Sequence, residues 1–449
     1  MVTDVWCRMP VPAGMTQSPG QAALPLCCFS DIYSILVHEN ERTVGPGKAF
    51  MNDMLKIVRY VLLLSLCILG GAGIGIASCV KISQDTGGLD QALVNMLAQV
   101  QTSASAVSIP DDVRPLVDAV RQGVIVDASS LPVQNKMTAA SYFFSVRTSM
   151  TRFLQYAYNP DLPTYLIAPN TVRRGEWTEV NGKQQPLPNL WELLDGLAQP
   201  VEIRGVEHEE ITPDISSGGY YTYDMDRALI LLTYEDKPVF ISVTRQQDTS
   251  DVGKKGAVLG PDSDWQYLYS GVDGLTKGGL GWVSSYMYGA MSVTVFCETG
   301  TPDNPAIKVG VFKWLRAGWA GINMVRAHHI QDGCERFATA MKSVLENPNL
   351  PPLDQVVETI DQCEVLSTGE LRTLVKPYVD HLQNLDDPLV KKSPFKKLLR
   401  SGEYLKTMPR EDMLKILVQG YLKKMMGRGA VVDTQGCQRL AQQRTAALR

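Results

Sequence analysis

The sequence predicts an α+β fold in which an antiparallel sheet packs against one long helix, behind an N-terminal transmembrane helix and before a C-terminal helical layer. Three observations carry this expectation. Val61 to Val80 is a run of twenty residues without a charge. From about residue 200 apolar and polar residues alternate, the period of half-buried strands. After residue 310 the apolar spacing returns to three and four, the period of a helix face.

The uncharged run, "VLLLSLCILGGAGIGIASCV", is long enough at about 1.5 Å per residue to cross the ~30 Å core of a bilayer. Lys56 and Arg59 precede it, which favours an N-inside orientation and places the rest of the chain on the exported (periplasmic or extracellular) side, although Lys81 weakens the asymmetry. Its last residues, Ile76-Ala77-Ser78-Cys79, also fit a lipoprotein signal with Cys79 as the lipidated residue, and a buried soluble helix is the third reading of the run. Residues 1–50 are rich in Pro, Gly and Cys without a sustained period and offer little to fold, whereas Met51 opens a more ordinary signal. Residues 1–50 are therefore expected to be disordered or a gene-model extension, and 51–81 a signal anchor or lipoprotein signal.

Residues 82–125 read as a helical stalk, with Leu89, Leu93, Met96, Leu97 and Val100 at helical spacing and a second short helix closed by Gly123. The α+β domain is expected over 134–346. It opens with "NKMTAASYFFSVRTSMTRFLQYAYNP", read as one helix ended by Asn159-Pro160. "ALILLTYEDKPVFISVTRQ" reads as two strands joined at Glu235-Asp236-Lys237, and "GWVSSYMYGAMSVTVFCET" as a hairpin turning at Gly289-Ala290. Met291, Val293, Val295 and Cys297 share one strand face and Ser292, Thr294, Phe296 and Glu298 the other, which predicts a sheet with one covered face.

"VFKWLRAGWAGINMVRAHHIQDGCERF" follows. At about 100° per residue, Phe312, Leu315, Trp319, Ile322, Ile330, Cys334, Phe337, Met341 and Leu345 fall on one stripe, the burial face of a long helix. A sheet followed by such a helix resembles, by architecture alone, helix-grip proteins, which enclose an apolar ligand between the two. Asn323, Arg326 and His329 then step from the stripe to its rim, where they either tie the helix to the sheet or orient the polar head of a ligand. Trp282 and Tyr286, alternating with Ser284 and Tyr288 on one strand face, add rings that either line a cavity or pack the sheet. Asn323, Arg326, His329, Trp282 and Tyr286 are the candidate ligand-binding residues.

Other chemistry is sparse. His328 and His329 point about 100° apart on a helix and cannot face one metal. "VEHEEI" lacks the second histidine of a zinc-protease motif and reads as a solvated strand end; "GVDGLTKGGLGW" lacks the ending of a phosphate loop. No serine sits in a nucleophile elbow. No metal or cofactor is implied. A net charge of −4 gives no overall attraction to nucleic acid, but residues 389–428 carry a net +8. Residues 353–428 read as a basic helical region interrupted at Gly369, Pro377 and Pro388, and 429–449 as a disordered tail. Within it, Leu414, Leu417, Val418, Tyr421 and Met425 form a stripe flanked by Lys415, Lys423 and Lys424, a candidate contact for anionic lipid. Cys297 and Cys334 are the best candidate for a disulfide, with two buried free thiols as the favoured reading. The function expected is a membrane-tethered, exported binding or interaction protein with a pocket for a small apolar ligand. The alternative is an envelope hydrolase whose site is assembled from distant loops.

Overall fold

The computed structural model describes residues 88–100, 113–124, 126, 128–277, 281–391 and 395–447. The uncharged run, Cys79 and residues 1–50 lie outside the described residues, and among the described residues no helix is long and apolar enough to cross a membrane. The chain is a mixed α/β protein built on a large antiparallel sheet with helices around it.

In chain order, helices α1 (Leu89–Gln99) and α2 (Arg114–Gln122) precede strand β1 (Thr138–Val146), helix α3 (Met150–Ala157) and strands β2 (Val172–Val180) and β3 (Val201–Ile211). Then come β4 (Gly219–Tyr220), β5 (Thr222–Tyr234), β6 (Lys237–Gln246), β7 (Lys254–Val258), β8 (Tyr267–Asp273), β9 (Leu275–Lys277) and β10 (Gly281–Val283). Strands β11 (Ser285–Glu298), β12 (Ile307–Trp319) and β13 (Ile322–Asn323) complete the β part. The rest is helical: α4 (Ala327–Leu345), α5 (Leu353–Glu364), α6 (Thr368–Asn384), α7 (Pro388–Lys391), α8 (Phe395–Arg400), α9 (Glu403–Thr407), α10 (Arg410–Met425) and α11 (Gly436–Ala447).

The main sheet runs β1-β12-β11-β6-β5-β3-β2, with β13 added at the end of β12, and all its pairs are antiparallel. The hairpin at Glu235-Asp236 forms as expected, and both residues take the positive φ that a two-residue hairpin turn requires. The other expected hairpin does not exist. Residues 285–298 are one strand, and the register slip between Met287 and Gly289 is a β-bulge.

Both faces of this sheet are covered, not one. On the first, Phe240, Phe296 and Val309 pack against Phe153 of α3 and Ile330, Met341 and Val344 of α4. On the second, Ile230, Ile241, Val293, Phe312 and Trp314 pack against Leu89, Leu93 and Met96 of α1 and Leu116 and Val120 of α2. The expected stalk is thus a layer of the core. Each of these large side chains contributes about 1.5–3 kcal/mol by leaving water. The Trp314 indole also donates to the Pro132 carbonyl at 2.8 Å, so its one polar atom is satisfied.

Two expected helices are strands. "TAASYFFSV" is β1, rich in aromatic residues that suit a pleated surface, and only residues 150–157 form a helix, capped by the Ser149 hydroxyl. The expected long helix likewise begins only at Ala327. Residues 307–319 are an inner strand whose faces feed both cores: Val309 and Val311 the first, Phe312 and Trp314 the second. Ala320 and Gly321, both at positive φ, turn the chain into β13.

The C-terminal helices share a further core with Leu268 and Ala257 of the small sheet β4-β7-β8. Pro377 does not interrupt α6, which runs through it, and Gly369 lies in its first turn. A capping box holds that start, with Glu370 accepting from the Ser367 amide at 2.7 Å. The expected disordered tail is helix α11 over Gly436–Ala447. Cys363 and Cys437 form a disulfide that ties it to α5, while Cys297 and Cys334 are the buried free thiols of the favoured reading, and the candidate Cys297–Cys334 bridge is not made.

Candidate functional site

The expected ligand residues do not converge. Asn323 is a half-buried strand residue whose side chain accepts from the Val325 amide at 3.1 Å and donates to the Thr138 hydroxyl at 3.1 Å, locking the β13 turn onto β1. Arg326 is exposed at the N-cap of α4, and the His329 ring, also exposed, accepts from its amide at 3.2 Å. The i+3 ladder that joined the three residues is absent, because only His329 is helical. Tyr286 stands beside Tyr288 at the end of β11, and the Trp282 side chain lies outside the described residues.

Two other polar constellations occupy the interior, and sequence spacing revealed neither. The first joins the sheet edge to α10. Arg173 of β2 is forked onto Asp412, with Nε at 3.1 Å from Oδ1, and also bonds Glu210. Arg174 donates to the same Asp412 oxygen at 3.0 Å. The Arg173 guanidinium lies 3.7 Å over the Tyr269 ring. Lys415, one turn along α10, is buried, donates to the Val172 and Arg173 carbonyls at 2.7 and 3.2 Å, and sits 4.8 Å over the Tyr165 ring. Burial pulls the Lys415 ammonium well below its usual value, and Asp412 opposes that shift. Lys415 and Lys423 are therefore not on a solvated cationic face: Lys423 bonds the Asp264 carbonyl. "VEHEEI" is strand interior, with Glu207 and Glu210 buried.

This cluster is largely closed. Arg173 and Arg174 are matched by Asp412 and Glu210, Lys415 is held by backbone carbonyls, and the adjacent cavity of about 20 Å³ has room for roughly one water. Such a water would reach the Tyr269 hydroxyl and Gln419 amide, which have no other partner among the described residues. The arrangement is a tie between sheet and helical region, and it titrates. Burial alone would raise the Asp412 carboxyl, but Arg173 and Arg174 outweigh it and hold the group below the usual aspartate range. A depressed folded-state pKa means that this stabilisation is complete above about pH 4, the unfolded value, and is lost as pH falls through the folded value. Thermal melts taken from about pH 5 down to about pH 2 should show this loss in the native protein, and the corresponding slope should be shallower in Asp412→Asn.

The second constellation does not close. The sheet register sets Lys313 of β12, Ser292 of β11, Thr244 of β6 and Arg227 of β5 side by side across four neighbouring strands. All four lie on the face that carries α3 and α4, with Thr294 and Ser242 in the next row. Part of the row is internally satisfied. Thr244 and Ser292 share a hydrogen bond of 2.7 Å, and Arg227 donates to the Ser242 hydroxyl at 3.1 Å. Arg227 Nε lies 2.7 Å from the buried Glu207 carboxylate, although the pair is not aligned as a hydrogen bond. Burial pushes the Glu207 carboxyl up, and the Arg227 charge pulls against that.

Lys313 has no hydrogen-bond or ion-pair partner among the described residues. It lies beneath Cys334 of α4: burial pushes that thiol up, and the Lys313 ammonium is the charge that opposes the shift. Although β11 and β12 are inner strands, Ser292, Thr294, Lys313 and Leu315 all keep part of their surface accessible. Tyr142, Phe144 and Phe337, half-buried on the same face, add apolar walls. The result is a partly accessible polar row with one unpartnered cation and half-buried aromatic residues on the same sheet face.

The fold is that of an α+β protein with a partly accessible polar row on the sheet face that carries the long helix. No protein-family model matches the chain, and no curated protein matches it.

Proposed function

We propose that this is a membrane-tethered, exported binding protein whose cleft between sheet and α4 takes a small amphipathic anion. The observation that carries the reading is Lys313, a half-buried ammonium without a partner in a row of hydroxyl groups. A buried or half-buried charge is costly unless matched, and a carboxylate or similar acidic head matches it. The aromatic residues beside it suit the apolar body of the same molecule. Sheet and helix thus play the parts that the helix-grip resemblance suggests, with Lys313 taking the head-group role first sought at Arg326.

The tether rests on the uncharged run Val61–Val80, and the exported location gains support from the Cys363–Cys437 disulfide, because such bonds persist in oxidising compartments. A test uses the full chain in lipid nanodiscs, titrated with octanoate and with octanamide. Octanoate should bind about tenfold more tightly, the scale of one charge-assisted hydrogen bond. Lys313→Met should erase that preference without lowering the melting temperature, since the ammonium ties nothing together. Equal binding of the two probes to the native protein would refute the head-group role.

A further inference from the structure

The end of the sheet where β12 turns into β13 presents apolar side chains on one face and is open to solvent. Trp319 pairs with Ile322 across the turn, and Tyr286 lies opposite Gly318. The Tyr286 and Tyr288 rings are 6.1 Å apart, and the Tyr288 hydroxyl accepts from the Gly321 amide at 2.8 Å, which fixes it against the turn. Ile322 is 54% and Met324 48% exposed. A two-residue hairpin turn favours Asn, Asp or Gly at its central positions. Here Ala320-Gly321 sits between a tryptophan and an isoleucine.

The charges on the hairpin and on the strand ends that hold it are of one sign, whereas the 248–253 segment hydrogen-bonded to the start of β11 brings the exposed Asp248 and Asp251. Arg316 lies 5.1 Å over the Tyr288 ring and donates to the Gly321 carbonyl at 2.8 Å, Arg326 is exposed at the end of the hairpin, and the Lys136 carbonyl accepts from Asn323. The segments 134–138, 284–290 and 316–326 that build this end hold those three cations and no Asp or Glu.

We propose that the β12–β13 tip is a lipid-contacting surface, seating Trp319, Ile322 and Met324 in the headgroup–acyl boundary of an anionic bilayer with Lys136, Arg316 and Arg326 at the phosphates. Tryptophan and tyrosine rings favour that boundary because one end is apolar and the other wet. The three cations on the hairpin side suit anionic headgroups. The proposal is strengthened by the tether reading, which brings the chain to a bilayer, but it stands on a different part of the molecule. It also replaces the basic helix of residues 410–425 as the lipid contact, since Lys415 and Lys423 are engaged by carbonyls.

The test incubates the full chain with phosphatidylcholine vesicles, with or without phosphatidylglycerol, that contain a photoactivatable phospholipid, and maps crosslinked peptides by mass spectrometry. Crosslinks should appear on residues 316–326, strengthen with phosphatidylglycerol and weaken with salt. Ile322→Asp should lower their yield about tenfold while leaving the melting temperature unchanged, because a charge replaces an apolar group meant for lipid. Crosslinks confined to residues 61–80 of vesicle-bound protein would overturn the hairpin contact and leave the tether standing. Crosslinks on 316–326 with none on 61–80 would support the hairpin and overturn the tether. A chain that neither binds vesicles nor crosslinks would overturn both.

Discussion

Replacing Asp412 by alanine should destabilise the protein by about 3–5 kcal/mol, the loss expected when one partner leaves a buried ion pair and its opposite charge stays behind. Arg173 is the charge that would stay. Its side chain is 7% exposed, its remaining carboxylate is Glu210, and the Tyr269 ring blocks one face. Chemical denaturation followed by tryptophan fluorescence would measure the effect. Arg174→Ala, which removes a more exposed arginine bound to the same carboxylate, should cost much less. A similar small loss in both variants would show that the Arg173–Asp412 pair does not hold the helical region to the sheet.

Loss of the Cys363–Cys437 disulfide should be comparable. The two cysteines are 74 residues apart, and restoring the freedom of an unfolded loop of that length costs about 4 kcal/mol in the chain-entropy account. The effect should be local as well as global. Helix α11 is held otherwise by exposed ion pairs, Arg444 to Glu370 and Arg439 to Asp433, which solvent screens. In Cys363→Ala/Cys437→Ala, amide exchange over residues 436–447 should rise well before global unfolding. Unchanged protection there would mean that packing of Leu440 and its neighbours suffices to hold the helix.

Much of the fold class is legible in the sequence, and the misreadings share a physical cause. Residues 307–319 bury side chains on both faces, so the alternation that marks a half-buried strand is missing, and Phe312, Leu315 and Trp319 happen to match a helix stripe. The signal that could have corrected this is Ala320-Gly321, a turn between two apolar runs. Residues 138–146 mislead in the same way, with small and aromatic residues that either element accepts. The start of α6 was readable: Ser367 and Glu370 stand at the spacing of a capping box, which outweighs the glycine between them. The bulge after Met287 gave no local signal, because Gly289 reads equally as a turn.

The polar row was less legible than the fold. Lys313, Ser292, Thr244 and Arg227 come from four strands, and only the register makes them neighbours. One element of the row was visible in advance, since Ser292 and Thr294 fall on a strand face opposite an apolar one. In a sheet with one bare face those hydroxyls would be solvated and unremarked. Covering both faces turns the same pattern into an interior polar row. Asn323 and Arg326 drew notice for the opposite reason: polar residues stand out only if the segment around them is assumed to be a buried helix.

The pairing of β1 with β12 bears on how the chain is made. Thr138 meets Leu315, so the first strand of the sheet has no partner until almost the whole α+β region has been synthesised. At about 5–20 residues per second, that leaves β1 waiting roughly ten to forty seconds. Its "SYFF" segment, which pairs with residues 309–312 in the finished sheet, is uncovered throughout that interval. An unpaired aromatic strand is a template for pairing with other chains. During biogenesis the hazardous species is therefore the nascent chain short of β12, and a ribosome stalled before residue 307 would release a fragment whose β1 strand can pair only with another molecule.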